Sequence, residues 1–269
     1  MNNHFQNFIL SHGETLQIFL FIGVFFIAWN IENMGGVIFH YKKWRHAFIN
    51  APFIFTNIPG QLLLGLAFVE VIRWTSYHQF GFLYHIHIGK SPFILFAITF
   101  IFLDFGEYIY HLIMHKVKRL WRFHLVHHSD HVVDVSTTLR EHPGENIIRL
   151  TFTLIWVFIS GSVFWAILLR QIIQAFTTLF AHINYRIPER LDRLIGWIFI
   201  TPNLHQVHHH YKQPYTDSNF GDVLSIWDRL FGTLKRLPVE DLIFGVDTHM
   251  KKDGKRNFKT LFKIPFNKN

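Results

Sequence analysis

The sequence predicts an all-α fold: a polytopic integral membrane helical bundle of about four to five membrane segments, including a hairpin at 147–181, with a cytoplasmic helical cap that carries three clusters of histidine. Three observations predict it. Hydrophobic residues make up 50% of the chain, the mean hydropathy is +0.20 and only 16% of residues are charged, a balance that fits a chain partly dissolved in lipid. Apolar runs near the roughly 20 residues that cross a bilayer as a helix recur along the chain. No stretch shows the alternation of a sheet, and there is no internal repeat or low-complexity tract, so the 269 residues read as a single membrane-embedded domain.

The first apolar run extends from about Leu16 to Ile38, interrupted by Asn30, Glu32 and Asn33. The residues before it lack the positive region and small-residue cleavage site of a secretory signal, so the run is expected to stay as an anchor. A second run covers Pro52 to Ile72, and the basic, aromatic segment Tyr41-Lys42-Lys43-Trp44-Arg45-His46 between the two fits a cytoplasmic loop at headgroup level, with the N-terminus outside. Asn57–Pro59 and Tyr77–Gly89 read as interface turns. A third run, Phe93 to Met114, returns to the cytoplasm, where Lys116, Lys118, Arg119 and Arg122 follow at once. The segment from Ile147 to Phe180 is too long for one ordinary span and contains Ser160-Gly161-Ser162 near its middle. A single crossing would put histidines before and after it on opposite sides of the membrane, whereas a hairpin turning near Gly161 keeps them together. From Asn184 to Asn269 the chain is mixed and basic, and Pro188, Pro202, Pro214, Pro238 and Pro265 punctuate short helices of the cap. The net charge of +8 gathers between and after the apolar runs, which is the positive-inside pattern of a membrane protein and not a nucleic-acid surface.

The chemistry lies in three clusters: His111 and His115; His124, His127 and His128; and His205, His208 and His209. Imidazoles at i, i+3 and i+4 project from one helix face, so each cluster presents two or three ligands to a common point. Eight histidines exceed what one ion uses, and the simplest economy is two adjacent metal ions with room for water or oxygen. The chain has no Cys, which excludes disulfides, iron–sulfur clusters and thiolate sites and leaves nitrogen and oxygen ligands. Adjacent pairs, His127-His128 and His208-His209, diverge by about 100° on a helix and suit two neighbouring ions.

Other residues are candidates for the same site. Asp104 and Glu107 fall on the stripe of His111 and His115 at steps of three and four, inside an apolar span where an unpaired carboxylate is costly. Asp104 is expected to accept the N–H of a ligand, and Glu107 to do the same or to ligate. His182 is an additional candidate ligand, Asn184 follows it, and His142 is expected either near the site or at a helix terminus. His131 and His210 read as neighbours of the clusters or as solvated. His4, His12, His40, His46, His78, His85, His87 and His249 are isolated and carry no functional reading.

With their flanks the clusters resemble the boxes HxxxH, HxxHH and HxxHH of the sterol desaturase and fatty acid hydroxylase superfamily. The flanks are Asp104-Phe105-Gly106 and Tyr108, Ser136-Thr137-Thr138-Leu139-Arg140, Asp217-Ser218-Asn219-Phe220-Gly221, and Ser225 to Thr233. The match covers about 93–237, and the tail is similar to the sterol desaturase and alkylglycerol monooxygenase branch. The resemblance implies a non-haem di-iron centre on the cytoplasmic side of the bacterial inner membrane or the endoplasmic reticulum. Two iron ions, with zinc as a possible substitute, would be held by the eight box histidines, and O2 would attack an unactivated C–H bond of a sterol, fatty acyl or ether lipid by hydroxylation or desaturation. Two departures stand out: no cytochrome b5 domain is appended, and His182 has Thr178 and Arg186, not histidine, four residues away, so the ligand number of the second ion stays open.

No glycine fingerprint of a dinucleotide domain and no haem domain is present, so electrons are expected from an external reductase, ferredoxin or cytochrome b5. The basic cap, with Lys212, Arg229, Lys235 and Arg236, is a candidate dock for an acidic donor or for anionic lipid. Two other classes fit less well. A zinc-dependent membrane hydrolase would use the same ligands without O2. A metal transporter would spread its ionisable groups along the spans, whereas these histidines gather at one end.

Overall fold

A computed structural model describes residues 3–34, 41–86, 91–249 and 257–267. His40 and His87 lie outside the described residues, as do the His4 side chain and 35–38 of the first apolar run. The described residues form helices joined by short loops, with two isolated bridges, Phe199 to Leu224 and His210 to Phe244, in place of strands.

The chain opens with α1 (Asn3–Ile31), then α2 (Lys43–Asn50) and α3 (Pro52–His78), which follow each other almost without a break. The turn expected at Asn57–Pro59 does not form: α3 runs through Pro59. Lipid offers no partner for a broken backbone, so the helix tolerates the proline, and Asn57 is used instead as a cross-helix donor to the Glu141 carbonyl at 3.2 Å. The turn expected after Tyr77 does form. Helix α3 stops at left-handed Gln79, and a single turn, α4 (Phe82–His85), leads on; 87–89 of that stretch lie outside the described residues.

Helix α5 (Pro92–Lys116) starts on a Ser91 cap with proline at its first position, and α6 (Lys118–His128) turns away at extended Val117. The long segment after the second cluster is a hairpin, as expected: α7 (Pro143–Ser160) and α8 (Phe164–Ala181). Gly161 makes the turn at φ +69, and a Cβ there would sit 2.4 Å from the Phe80 carbonyl oxygen, so only glycine fits. The remainder comprises α9 (Glu189–Ile195), α10 (Pro202–His208), α11 (Ile226–Leu230) and α12 (Phe258–Phe262). These short helices form the cap.

Helix α1 packs on α8, α3 on α7, and α5 on both arms of the hairpin. Leu103, Val157 and Ile167 are buried where α5, α7 and α8 meet, with Phe68 and Trp156 against them. Lipid tails are as apolar as leucine, so association rests on close packing, and Gly106 of α5 provides it: a Cβ there would lie 2.8 Å from the Trp156 ring. Leu62, Leu63 and Leu66 of α3 and Phe93 of α5 face outward as the lipid surface. The stretches Ser11–Ile31, Lys43–His85, Pro92–Lys116 and Phe164–Ala181 are long and apolar enough to cross a membrane. The chain is an all-α polytopic membrane bundle.

One end of the bundle is tied by buried polar groups. Helix α1 ends beside Glu32, whose carboxylate accepts from the backbone N–H of Val135 (2.8 Å) and of Asn184 (2.7 Å) and pairs with Lys43 at 2.8 Å. That one side chain joins the loop behind the second histidine cluster to the loop that follows α8.

Candidate metal centre

The three clusters meet because three helix ends meet. His111 and His115 lie on the last turns of α5, His124, His127 and His128 on the last turns of α6, and His205 and His208 on α10, with His209 at its C-cap. Helix α10 is set in place by a Thr201 cap, proline at its first position, and packing on α8. His182, the C-cap of α8, arrives at the same point.

The nine histidines sort into two groups, in each of which one ring nitrogen from every member lies within 4.8 Å of the others. One holds His111, His115, His124, His128 and His208; the other holds His127, His182, His205 and His209. Helical spacing makes the division. Residues four apart stay together, as in His124 with His128 and His205 with His209, while each adjacent pair is split between the groups.

Hydrogen bonds at the far side of the rings fix what faces inward. His111 Nδ1–H donates to the Phe220 carbonyl (2.9 Å), His124 Nδ1–H to Glu145 (2.6 Å), His208 Nδ1–H to the Ser218 carbonyl (2.6 Å) and His182 Nδ1–H to the Thr178 carbonyl (2.8 Å). His115 Nδ1 faces Asp217 at 3.3 Å. A neutral imidazole that donates from Nδ1 carries a lone pair on Nε2. Yet His111 Nε2 and His124 Nε2 approach to 3.1 Å, and His182 Nε2 lies 2.9 Å from His205 Nε2 and 3.1 Å from His127 Nε2. His115 Nε2 and His208 Nε2 are buried without any partner. Converging lone pairs repel unless a cation lies between them. Two imidazoles bound about 2.0–2.1 Å from one ion stand roughly 3.0–3.4 Å apart, which matches these separations. The residues therefore fit two metal ions.

Burial keeps the ligands in the form a metal needs. It pushes His208 down to about 3 and His182 down to about 4, and it lowers His127, His128, His205 and His209 well below the ordinary imidazole value. At neutral pH these rings are uncharged, so charge to compensate two bound cations would have to come from behind them. Carboxylates supply it: Glu145 and Asp217 touch ligands directly, and Glu107, Glu141 and Asp222 line a cavity of about 70 Å³ against His111, His124, His127, His182 and His205. Burial pushes Asp222 up to about 7, with Glu107 adding to the effect and Arg170 opposing it. Arg149 lies 3.3 Å from Glu141 and 3.5 Å from Glu145, and the fully buried Arg170 of α8 lies 3.7 Å from Asp222 and 4.0 Å from Glu107.

Several expected neighbours of the ligands do other work. Among the described residues Asp104 accepts no imidazole N–H; its buried carboxylate takes the backbone N–H of Val223 and Leu224 and the Trp227 indole N–H. It holds the loop after the third cluster, the one whose carbonyls orient His111 and His208. Glu107 is in neither histidine group; it accepts from Thr153 at 3.1 Å and faces the cavity. His142 is the helix-terminus alternative: it caps α7, accepting the Gly144 N–H at 3.0 Å, and packs among Phe123, Phe262 and Phe266. Asn184 donates its backbone N–H to Glu32. His210 accepts from the Ile243 N–H, His131 faces the His249 carbonyl, and both lie outside the two groups.

His46 departs furthest from its sequence reading. Its two ring nitrogens stand 2.8 Å from Asp130 and 2.8 Å from Asp134, so the ring serves both only as a cation. Arg140 pairs with Asp130 at 3.1 Å, Tyr41 donates to Asp134, and Asn50 joins Arg140 to Ser136. The Tyr41–His46 segment thus docks on the loop behind the second cluster.

The fatty acid hydroxylase family profile matches residues 96–233, just over half of the chain and every box histidine. Alkylglycerol monooxygenase of Xenopus tropicalis is 31% identical over 189 residues, 67% of this chain and 38% of that protein. The human alkylglycerol monooxygenase is 30% identical over 202 residues, 73% of this chain and 41% of its own. Ornithine lipid hydroxylase OlsE of Rhizobium tropici is 32% identical over 135 residues, 50% of this chain and 40% of that enzyme. The chain thus spans about two fifths of the length of these curated relatives. No solved structure matches it. Two histidine groups at one end of a membrane bundle, together with the profile match across all three boxes, establish that this chain belongs to the fatty acid hydroxylase family.

Proposed function

We propose that the chain is a membrane-bound, O2-dependent oxidoreductase that uses two iron ions to hydroxylate a lipid, with its site on the cytoplasmic side. The observation that carries this reading is the division of nine histidines into two groups of converging ring nitrogens. The overall change is RH + O2 + 2e⁻ + 2H⁺ → ROH + H2O. A pair of redox-active ions supplies the electron chemistry with O2; the chain supplies the rest. Phe220, Ser218, Thr178 and Glu145 hold four rings in the ligating tautomer. Burial under α6, α10 and the 217–224 loop keeps bulk water from the reacting atoms.

The names of the relatives, a monooxygenase of alkylglycerol and a hydroxylase of ornithine lipid, support hydroxylation over desaturation. The cavity narrows the substrate. Among its lining residues Glu107, Tyr110, Glu141, Arg149 and Asp222 offer hydrogen-bond partners to a polar group of the lipid. A C–H bond close to a polar group of the lipid fits better than one in mid-chain. The two electrons come from an external carrier.

The test uses the chain in lipid nanodiscs, loaded with ferrous iron and supplied with reductant. Two irons per chain, O2 consumption that follows added lipid, and a product heavier by one oxygen atom are expected. One zinc per chain and turnover without O2 would replace this reading with the hydrolase.

A further inference from the structure

The corner between α5 and α6 is basic and thin. Lys116, Lys118 and Arg119 are exposed in succession, Arg122 follows one turn later, and Lys118 and Arg119 carry no ion pair among the described residues. One turn after Lys118 on the same helix face lies Trp121, half-buried, with its ring centroid 4.7 Å from His115 and 5.3 Å from His128. Lys116 reaches the same ligand by a second route: it pairs at 2.7 Å with Asp217, which contacts His115. One side chain separates this surface from the five-histidine group. The basic cap singled out from the sequence is poorer, because Arg236 pairs with Asp192 and Arg229 stacks on Trp197 at 4.2 Å and donates to the Gly196 carbonyl.

We propose that the α5–α6 corner, centred on Lys118 and Arg119 with Trp121 on the same helix, is the docking surface for an acidic one-electron carrier protein that delivers electrons to the five-histidine group. The proposal rests on the oxidoreductase reading above. Charge complementarity argues for the partner, since unpaired basic side chains steer an acidic surface and raise its association rate. Path length argues for this corner, since electron transfer slows steeply with every added layer of atoms and here there is one. Two electrons per turnover require two docking events or two carriers.

The experiment uses the full chain in nanodiscs of neutral phosphatidylcholine, with a soluble plant-type ferredoxin and a soluble cytochrome b5 domain as probes. Binding of each oxidised carrier to the metal-free chain is read by fluorescence anisotropy, and reduction of the iron-loaded chain by stopped flow. Lys118→Glu with Arg119→Glu is expected to weaken binding of at least one carrier, and to slow reduction by it, about tenfold, with a flatter salt dependence. Reduction by dithionite should not change, and Lys212→Glu with Lys235→Glu should bind as the native chain does. Trp121→Leu, at unchanged metal content, is expected to bind normally and accept electrons more slowly. Native binding of both carriers by the Lys118/Arg119 variant overturns the proposal. So does a loss confined to vesicles containing phosphatidylserine, which would make the corner a lipid contact. Failure of dithionite to reduce any variant would count against the iron reading alone, because the anisotropy measurement needs no metal.

Discussion

The two histidine groups share α6 and α10, draw their remaining ligands from α5 in one case and from the end of α8 in the other, and are held differently. In the five-member group four rings have their outer nitrogen engaged: His111 and His208 by backbone carbonyls, His124 and His115 by the carboxylates of Glu145 and Asp217. In the four-member group only His182 has such a bond among the described residues, to the Thr178 carbonyl, while His205 Nδ1 and His209 Nδ1 are buried without a partner among them. Outer hydrogen bonds fix ring orientation and raise ligand basicity, so the first group should bind its ion more tightly. The second group has one ligand fewer and contributes three of the five histidines that line the cavity. A tightly held ion beside a more open one is the arrangement expected where one metal anchors and the other meets a small molecule.

Removing ligands is the largest perturbation and the most direct way to break this comparison. His205→Ala takes one of four ligands from the looser group and is expected to leave about one metal ion per chain by elemental analysis, with no turnover. His208→Ala takes one of five from the tighter group and is expected to lower the affinity of that ion while turnover again stops. Equal stoichiometry in the two variants would mean that the groups do not bind independently.

Glu145→Gln is the next step down. It leaves every ligand in place but replaces the carboxylate on His124, so a roughly 10–100-fold loss of affinity is expected in the five-member group alone. Competition titration with a chelator, resolved for the two ions, checks it. A smaller effect is expected from acid on the metal-free chain. His182 and His208 have folded values of about 4 and 3, below the ordinary 6.5, so between 6.5 and those values the unfolded chain binds the extra protons. Stability therefore falls as pH drops from about 6.5 towards 4, and loaded metal should delay the fall by holding the rings unprotonated. Thermal unfolding in detergent across that range, with and without metal, measures both.

How much of this was legible follows from which forces are local. The hairpin was readable because a long apolar segment, Ser160-Gly161-Ser162 and the need to gather histidines all point one way. The convergence of the box histidines was readable because their spacing is helical. Asp104 was recognised as important but misassigned: the carboxylate of a helix residue can reach a loop more than a hundred residues away, and nothing local distinguishes Val223 N–H from an imidazole N–H. Glu145 went unnoticed beside His142, although the tetrapeptide His142-Pro143-Gly144-Glu145 places it on the first turn of α7, where it turns inward to His124. Asp217 was quoted only as a flank. The roles of these carboxylates depend on which helix ends converge, and that is fixed by tertiary packing.

His46 and His85 give the finest test, because the sequence treats them alike and the structure does not. His85 is exposed on α4, and His85→Ala should change stability by no more than about 0.5 kcal/mol. His46 lies between Asp130 and Asp134, and its removal leaves two buried carboxylates short of a cation, at a cost of about 3 kcal/mol in thermal unfolding. The consequence for metal binding separates this network from Glu145. Asp130 stands two residues beyond His128, on the loop that follows a helix end feeding both groups: His124 and His128 to one, His127 to the other. Loosening that end should weaken both ions by a similar, modest factor, where Glu145→Gln weakens one. If His46→Ala instead changes a single ion's affinity, the α6 end is not the shared support of the two groups, and the difference between them must arise from α5, α8 and α10.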